Sequence, residues 1–158
     1  METTQARPQT DYEKERGKPL PSFQHSRISQ RLSVALAEYE PEFAILPELT
    51  LDLEGLRITP DLCVLTPVEI EPTTDVNPVT QPPVLVIEIS SPSQGLRELV
   101  DKAKEMIDRG VRTCWIVEPA IQTVTIIDSD VNLTTITEGV VEDPETGIQV
   151  SIDDIFGT

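Results

Sequence analysis

The stretch from Val84 to Val117 constrains the fold more than any other part of the sequence. It opens with Val84–Ile89, a short, almost continuously apolar run that is typical of a strand covered on both faces. A helical pattern then continues to about Arg109, and Gly110 follows its end. The apolar run Arg112–Val117 predicts a second strand. Because a strand, a helix and a strand in this order form a crossover unit, we expect a parallel strand pair within a mixed sheet.

The remaining segments predict an α/β fold, in which a mixed central β-sheet is flanked by helices and carries a C-terminal antiparallel extension. Ser90 to Ser93 is expected to open the central helix with a serine cap. The other predicted elements are a helix over His25–Tyr39, a hairpin of Phe43–Leu53 and Leu56–Leu65, a surface loop over 66–83, a hairpin of Val124–Asp128 and Leu133–Thr137, and a short strand or turn within Ile148–Phe156.

Length and composition favour one intracellular domain. A chain of 158 residues suits a single core, which we assign to residues 12–158 after a flexible lead-in over 1–11. The first ten residues are polar, and no apolar run approaches the roughly 20 residues that cross a bilayer. Cys63 and Cys114 lie in apolar runs, so we expect them to be buried thiols in a reducing compartment. We therefore expect a cytoplasmic protein with no membrane contact.

The charge of the chain limits what it can bind. The formal net charge is −16, which argues against a generic nucleic-acid binder with a basic surface. The charge is also uneven, because no lysine or arginine follows Arg112. An anionic ligand should therefore meet the N-terminal half or residues 97–112, rather than the C-terminal third.

Two acidic residues stand in apolar surroundings where a carboxylate is costly to bury. Asp61 follows Pro60 within one predicted strand, and Glu88 interrupts another. A cation is the simplest partner, and two carboxylates on neighbouring strands can hold Mg²⁺. Lys102 and Lys104 lie at opposite edges of the apolar stripe of the central helix, so position alone does not choose which of them reaches these acids.

Several short motifs, taken in order, resemble the Uma-two family. This family is a bacterial branch, abundant in cyanobacteria, of the PD-(D/E)XK restriction-endonuclease-like superfamily. The motifs that carry the resemblance are Tyr12-Glu13, Gly17, Pro21-Ser22, His25, Pro60-Asp61, Glu88-Ile89-Ser90-Ser91-Pro92, Asp101-Lys102, Gly110-Val111, and Trp115-Ile116-Val117 with Pro119.

The resemblance implies a restriction-endonuclease-like core and a Mg²⁺-dependent endonuclease that hydrolyses phosphodiester bonds of DNA by metal-activated water. Mn²⁺ is the implied substitute metal, and a homodimer is the implied assembly. Asp61 and Glu88 match the catalytic acids that hold the metal, and Glu13 matches an N-terminal acid that assists them. Lys102 matches the catalytic lysine that such enzymes supply from the helix after the second acid.

The chain departs from the family pattern at two places. Ser90 stands where the parent superfamily has its lysine, and the family commonly shares this departure. The usual Asp-Gly-Glu near the N-terminus is replaced by Arg16-Gly17-Lys18. Glu15 lies close enough to Glu13 to be an alternative ligand, and His25 and Ser90 are candidate accessory residues.

Two other functions stay open on the sequence. The fold could persist as a catalytically silent, acidic interaction or regulatory module. It could also be a metallo-hydrolase of a small phosphorylated substrate, with loop 66–83 closing over a compact pocket. Convergence of Asp61, Glu88 and the Lys102 amine within about 5 Å, around one cation-sized space, would favour the enzyme over the module.

Overall fold

A six-stranded mixed sheet is the main element of the computed structural model, which describes residues 8, 10–67 and 69–157. The helices are α1 (Asp11–Arg16), α2 (Phe23–Leu36), α3 (Leu96–Asp108) and α4 (Ile152–Phe156), and a 3₁₀ turn over Ala37–Tyr39 extends α2. The strands are β1 (Ala44–Pro47), β2 (Leu51–Leu53), β3 (Leu56–Ile58), β4 (Leu62–Leu65), β5 (Leu85–Ile89), β6 (Thr113–Glu118), β7 (Thr123–Ile127), β8 (Leu133–Ile136), β9 (Val140–Glu142) and β10 (Gln149–Ser151).

The strand order in this sheet is β1-β4-β5-β6-β7-β8. Only β5 and β6 run parallel, and α3 connects them, so the predicted crossover unit is confirmed. The other neighbours are antiparallel, and β7 with β8 forms the predicted C-terminal hairpin. The pairs β2–β3 and β9–β10 make two separate small sheets. The predicted α/β fold class, with its mixed central sheet and antiparallel extension, is confirmed.

Both faces of the central strand β5 are buried, as the apolar run predicts. Leu85, Ile87 and Ile89 belong to one apolar cluster, which includes side chains of α2 and α4. Val86 belongs to the other, which includes side chains of α3 and of the β2–β3 hairpin. Since side chains alternate along a strand, Glu88 lies on the same face as Val86, under α3.

The predicted helix over His25–Tyr39 is confirmed as α2 with its 3₁₀ extension, and its start differs from the prediction by two residues. Ser22 caps α2 by accepting a hydrogen bond from the backbone N–H of His25, so the helix begins at Phe23 instead of His25. Ile28, Leu32 and Leu36 are buried against the sheet, at the predicted spacing. The seryl cap thus fixes His25 in the first turn of α2, at the end of the helix near the sheet edge.

Three local predictions are wrong. Ser90 to Ser93 does not open α3. Ser91 to Gln94 instead forms a turn with Pro92 at its second position, which proline favours, and Gly95 then caps the helix without a side-chain hydrogen bond. Phe43–Leu53 is not one strand but two, β1 and β2, which break after Pro47 and join different sheets. Leu56–Leu65 is likewise two strands, β3 and β4, because β3 pairs with β2 whereas β4 pairs with β1.

The lead-in predicted over residues 1–11 also needs correction. Residues 1–7 and 9 lie outside the described residues, whereas Thr10 and Asp11 belong to the start of α1. Thr10 caps that helix by accepting the Glu13 N–H, and the Glu13 carboxylate in turn accepts the Thr10 backbone N–H. This reciprocal pair explains why so short a helix is stable at its N-terminus.

A buried carboxylate organises the C-terminal part of the fold. Asp143 is 1 % exposed, and its Oδ1 accepts hydrogen bonds from Thr113 Oγ1 at 2.6 Å and Trp115 Nε1 at 3.2 Å. Its Oδ2 accepts the backbone N–H groups of Glu145 and Thr146 at 3.2 and 2.9 Å. One side chain therefore ties β6 to the turn that follows β9.

Cys63 and Cys114 are free and buried, as predicted. Burial raises the pKa of both thiols, and the negative charge of Glu88 adds to the effect. Both sulfurs are therefore held as neutral thiols within the α3 face of the sheet. Among the described residues, no helix combines the length and the apolar character that spanning a membrane requires.

Candidate active site

Asp61 and Glu88 stand side by side at one edge of the sheet. Leu62 of β4 pairs with Ile87 of β5 in an antiparallel register, so Asp61, just before Leu62, lies opposite Glu88, just after Ile87. Both are buried, at 1 % and 4 % exposure. Like charges in this position repel each other and destabilise a sheet unless they are compensated.

Each of the two carboxylates accepts a hydrogen bond from a backbone N–H of the facing strand. The Asp61 N–H donates to Glu88 Oε1 at 3.2 Å, and the Ile89 N–H donates to Asp61 Oδ2 at 2.7 Å. These crossed hydrogen bonds hold both side chains in one orientation and leave Asp61 Oδ1 and Glu88 Oε2 to other partners. The antiparallel register of β4 and β5 therefore builds the acidic pair that the sequence predicts.

Three basic side chains from different segments surround this pair. Lys18 Nζ lies 2.5 Å from Asp61 Oδ1 and 3.7 Å from Glu88 Oε1. His25 Nε2 lies 2.7 Å from the same Asp61 oxygen. Because a carboxylate only accepts, this ring nitrogen carries the hydrogen. The His25 Nδ1 atom is buried and has no hydrogen-bond partner among the described residues.

Lys102 completes the cluster from α3. Its Nζ lies 3.6 Å from Glu88 Oε2, and its side chain is 20 % exposed. Lys104 is exposed on the same helix, and none of the described ion pairs involves it. Of the two lysines that the sequence leaves open, the structure therefore brings Lys102 to the acids. Lys102 thus lies beside Glu88, which stands opposite Asp61 on the neighbouring strand.

The other predicted site residues lie less centrally. Glu13 is buried, and its carboxylate accepts the Thr10 N–H at 3.2 Å. Within the described part of the chain, no three His, Cys, Asp or Glu side chains are arranged to hold one metal ion. The Glu15 side chain lies outside the described parts of the structure. Ser90 donates its N–H to Val117 O at 2.8 Å and lines a cavity of about 490 Å³ with Ser22 and Pro119.

Sequence reasoning did not assign a role to Lys18, although its ammonium lies within 3.7 Å of both acids. The residue is only 5 % exposed. Gly17, with φ 70°, ends α1 in a left-handed conformation and turns the chain so that Lys18 points toward Asp61. The available signal was the replacement of an acid by lysine in Arg16-Gly17-Lys18, which reverses the charge expected at that position.

The environment keeps Asp61 ionised. Burial raises the pKa of this carboxyl, but the His25 hydrogen bond and the positive charges of Lys18 and His25 outweigh it and lower the pKa from 3.8 to about 2. Asp61 is thus a carboxylate at every physiological pH.

This shift predicts a specific acid lability. Because the folded-state pKa is depressed, the stabilisation is complete well above pH 3.8 and is lost as pH falls toward 2. We expect the difference in unfolding free energy between wild type and Asp61→Asn to shrink by about 2 kcal/mol between pH 6 and pH 2. Urea denaturation across that range measures it. For the exposed control Asp101→Asn the difference should stay constant; a constant difference for Asp61→Asn would disprove the assignment.

The comparisons with known proteins agree with this geometry. Residues 8–153 match the model of the Uma2 (Uma-two) family, described as "Putative restriction endonuclease". The chain belongs to the Uma2 family. The family predicted from the motifs is therefore confirmed. None of the curated proteins compared with the chain matches it.

A solved structure shows that the Uma2 chain has the expected fold. It comes from Anabaena variabilis and is described as "a putative nuclease belonging to DUF820". The two are 22 % identical, with a TM-score of 0.76 over 88 % of this chain and 83 % of that chain. At this identity the likeness concerns the fold alone. Family and fold together assign the Uma2 chain to the nuclease-like proteins.

Proposed function

We propose that the chain is a Mg²⁺-dependent endonuclease that hydrolyses phosphodiester bonds of DNA. The observation that carries the proposal is the convergence of Asp61, Glu88 and Lys102 at one sheet edge. Each carboxylate accepts a backbone N–H from the facing strand, and Lys102 Nζ lies 3.6 Å from Glu88. Membership of the Uma2 family supports the reaction class. DNA as the substrate rests on the family's description as a restriction endonuclease.

The donor set fits a divalent cation. Two buried carboxylates on neighbouring strands offer oxygens, which Mg²⁺ prefers, and an ammonium group already lies within 3.7 Å of both acids. The space between them thus accepts positive charge. When bound there by Asp61 and Glu88, Mg²⁺ would lower the pKa of a water molecule and neutralise the scissile phosphate.

The remaining residues have distinct roles in this proposal. Lys102 lies beside Glu88 but is partly exposed, so its amine can reach a substrate phosphate and stabilise the charge that develops on it. His25 holds the Asp61 carboxylate in one orientation through its Nε2 hydrogen bond. Because both acids are buried, bulk water has little access to their carboxylates.

The contacts of Lys18 favour a second function, the catalytically silent module. An ammonium that already compensates Asp61 and Glu88 leaves the acids satisfied without any metal. The net charge of −16 also weakens binding to a polyanion. In this case the acids are structural, and the protein neither binds Mg²⁺ nor cleaves DNA.

The contacts of loop 66–83 give no support to a small-substrate hydrolase. Val79 exchanges hydrogen bonds with Thr50 and Asp52, and Pro82 lies against Gly110. Gly110 precedes β6, whereas Glu88 is near the carboxyl end of the parallel strand β5. Val79 is thus held at the β2–β3 hairpin, and Pro82 lies at the end of the sheet opposite Glu88.

Substitution of Lys102 tests the proposed function. Lys102→Met should lower the rate of plasmid nicking at saturating Mg²⁺ by about a hundredfold, since a positioned charge of this kind contributes about 10²–10³ in rate. Lys104→Met, an exposed change on the same helix, should nick at the wild-type rate. Equal rates for all three proteins, or no nicking by wild type in Mg²⁺ or Mn²⁺, would contradict the proposal.

A further inference from the structure

We infer that Lys18 is an internal cation that occupies the metal position between Asp61 and Glu88, so that a divalent ion binds only when the Lys18 ammonium leaves. The inference names the regulation of the proposed nuclease site and rests on that proposal for the identity of the metal. It concerns Lys18, at a position where the family resemblance leads us to expect an acid.

The oxygens contacted by Lys18 are those that a shared metal ion would need. Asp61 Oδ1 and Glu88 Oε1 both face the ammonium, at 2.5 and 3.7 Å. Asp61 Oδ2 is engaged by the Ile89 N–H, so Asp61 can offer a bridging metal ion its Oδ1, which Lys18 already contacts. Glu88 Oε1 accepts the Asp61 N–H and lies near Lys18, and Glu88 Oε2 faces Lys102, so either Glu88 oxygen lies beside a lysine. An ammonium and a Mg²⁺ ion also repel each other at such distances, so both do not occupy this space.

Burial makes the Lys18 interaction substantial. The Lys18 and Asp61 side chains are 3 % and 0 % exposed, so water screens their attraction poorly. The charges balance locally, because Lys18 and Lys102 compensate Asp61 and Glu88. A divalent ion has to break a buried ion pair before it binds. The wild-type protein should therefore be stable without metal and should bind metal weakly.

The position of Lys18 in the chain lets it move without disturbing the sheet. It lies between α1 and α2, next to Gly17, and belongs to no strand or helix. Displacement of its side chain breaks its ion pairs and leaves the β4–β5 register intact. Lys18 thus raises the metal concentration that is needed to occupy the site.

Calorimetric titration of MgCl₂ and MnCl₂ into wild type, Lys18→Met and Lys14→Met tests the inference. Lys14 is an exposed lysine of α1 and provides the matched control. We expect Lys18→Met to bind both ions at least tenfold more tightly than wild type, and Lys14→Met to match wild type. Metal-free Lys18→Met should also melt at a lower temperature than wild type and recover the difference when metal is added. A metal affinity within twofold of wild type would overturn the inference.

Two additions keep the outcome decisive. Lys18→Gln retains a hydrogen-bonding group near Asp61 without the charge, and it replaces Lys18→Met if the latter does not fold. If neither variant folds at any concentration of Mg²⁺ or Mn²⁺, the inference is wrong, because the metal should supply the missing charge.

Plasmid nicking separates the two proposals. Tighter metal binding without nicking by any variant contradicts only the nuclease. If wild type and Lys18→Met reach half-maximal nicking at the same Mg²⁺ concentration, only the role of Lys18 is contradicted.

Discussion

Replacing Glu88 by glutamine should reduce plasmid nicking by about a thousandfold or more. The amide keeps the size of the side chain and an oxygen that can accept the Asp61 N–H. It loses the negative charge that a divalent ion requires from its second ligand, and it leaves Lys102 without its ion-pair partner. Initial nicking rates at saturating Mg²⁺, with the fold checked by circular dichroism, measure the effect.

A surface change separates this result from a general effect of charge. Glu142→Gln removes one negative charge from an exposed position on β9, away from the acidic pair, and should leave the rate unchanged. Calorimetry on the same samples should show metal binding for Glu142→Gln and none for Glu88→Gln. If Glu88→Gln nicks DNA within tenfold of wild type, Glu88 is a structural acid and the proposed site is wrong.

The largest loss of stability is expected from Asp143→Ala, at about 3 to 5 kcal/mol. Removal of the carboxylate leaves the Trp115 Nε1 and Thr113 Oγ1 donors buried without their acceptor. Each unsatisfied buried donor costs about 1–3 kcal/mol. The turn that follows β9 also loses the side-chain oxygen to which the Glu145 and Thr146 N–H groups donate.

Urea denaturation at pH 7 measures this loss. Asp143→Asn, which keeps one acceptor oxygen, should lose less than half as much as Asp143→Ala. Glu142→Ala, at the exposed neighbouring position, should stay within about 0.5 kcal/mol of wild type. A loss below about 1 kcal/mol for Asp143→Ala would mean that water replaces the carboxylate, and that the hydrogen bonds to Trp115 and Thr113 contribute little.

The elements that follow from local periodicity were predictable from the sequence. The crossover from Val84 to Val117 has strong apolar patterns, and its connection leaves one reasonable arrangement. Asp61 and Glu88 were detectable because each is an acid in an apolar strand. The weaker elements escaped prediction. Helix α1 has only six residues, and its signal is the Thr10–Glu13 capping pair instead of an apolar stripe.

Contacts between distant segments could not be predicted in the same way. The choice of Lys102 over Lys104 depends on how α3 is rotated over β5, and the two lysines flank the apolar stripe symmetrically in the sequence. Lys18 meets Asp61 across 43 positions of the chain. Neither periodicity nor turn chemistry reports such a contact. The replacement of an expected acid by lysine was the only local trace of it.

The proline-rich loop over 66–83 divides the candidate site between two halves of the chain. Lys18, His25 and Asp61 precede the loop, whereas Glu88 and Lys102 follow it. The interface between the halves includes the hydrogen-bonded ladder from β4 to β5 and the packing of α2 against α4. Each half therefore carries one acid and one lysine, and neither is chemically complete. A chain cut in this loop becomes a pair of complementing fragments, and the carboxylate pair exists only in their reassembled form.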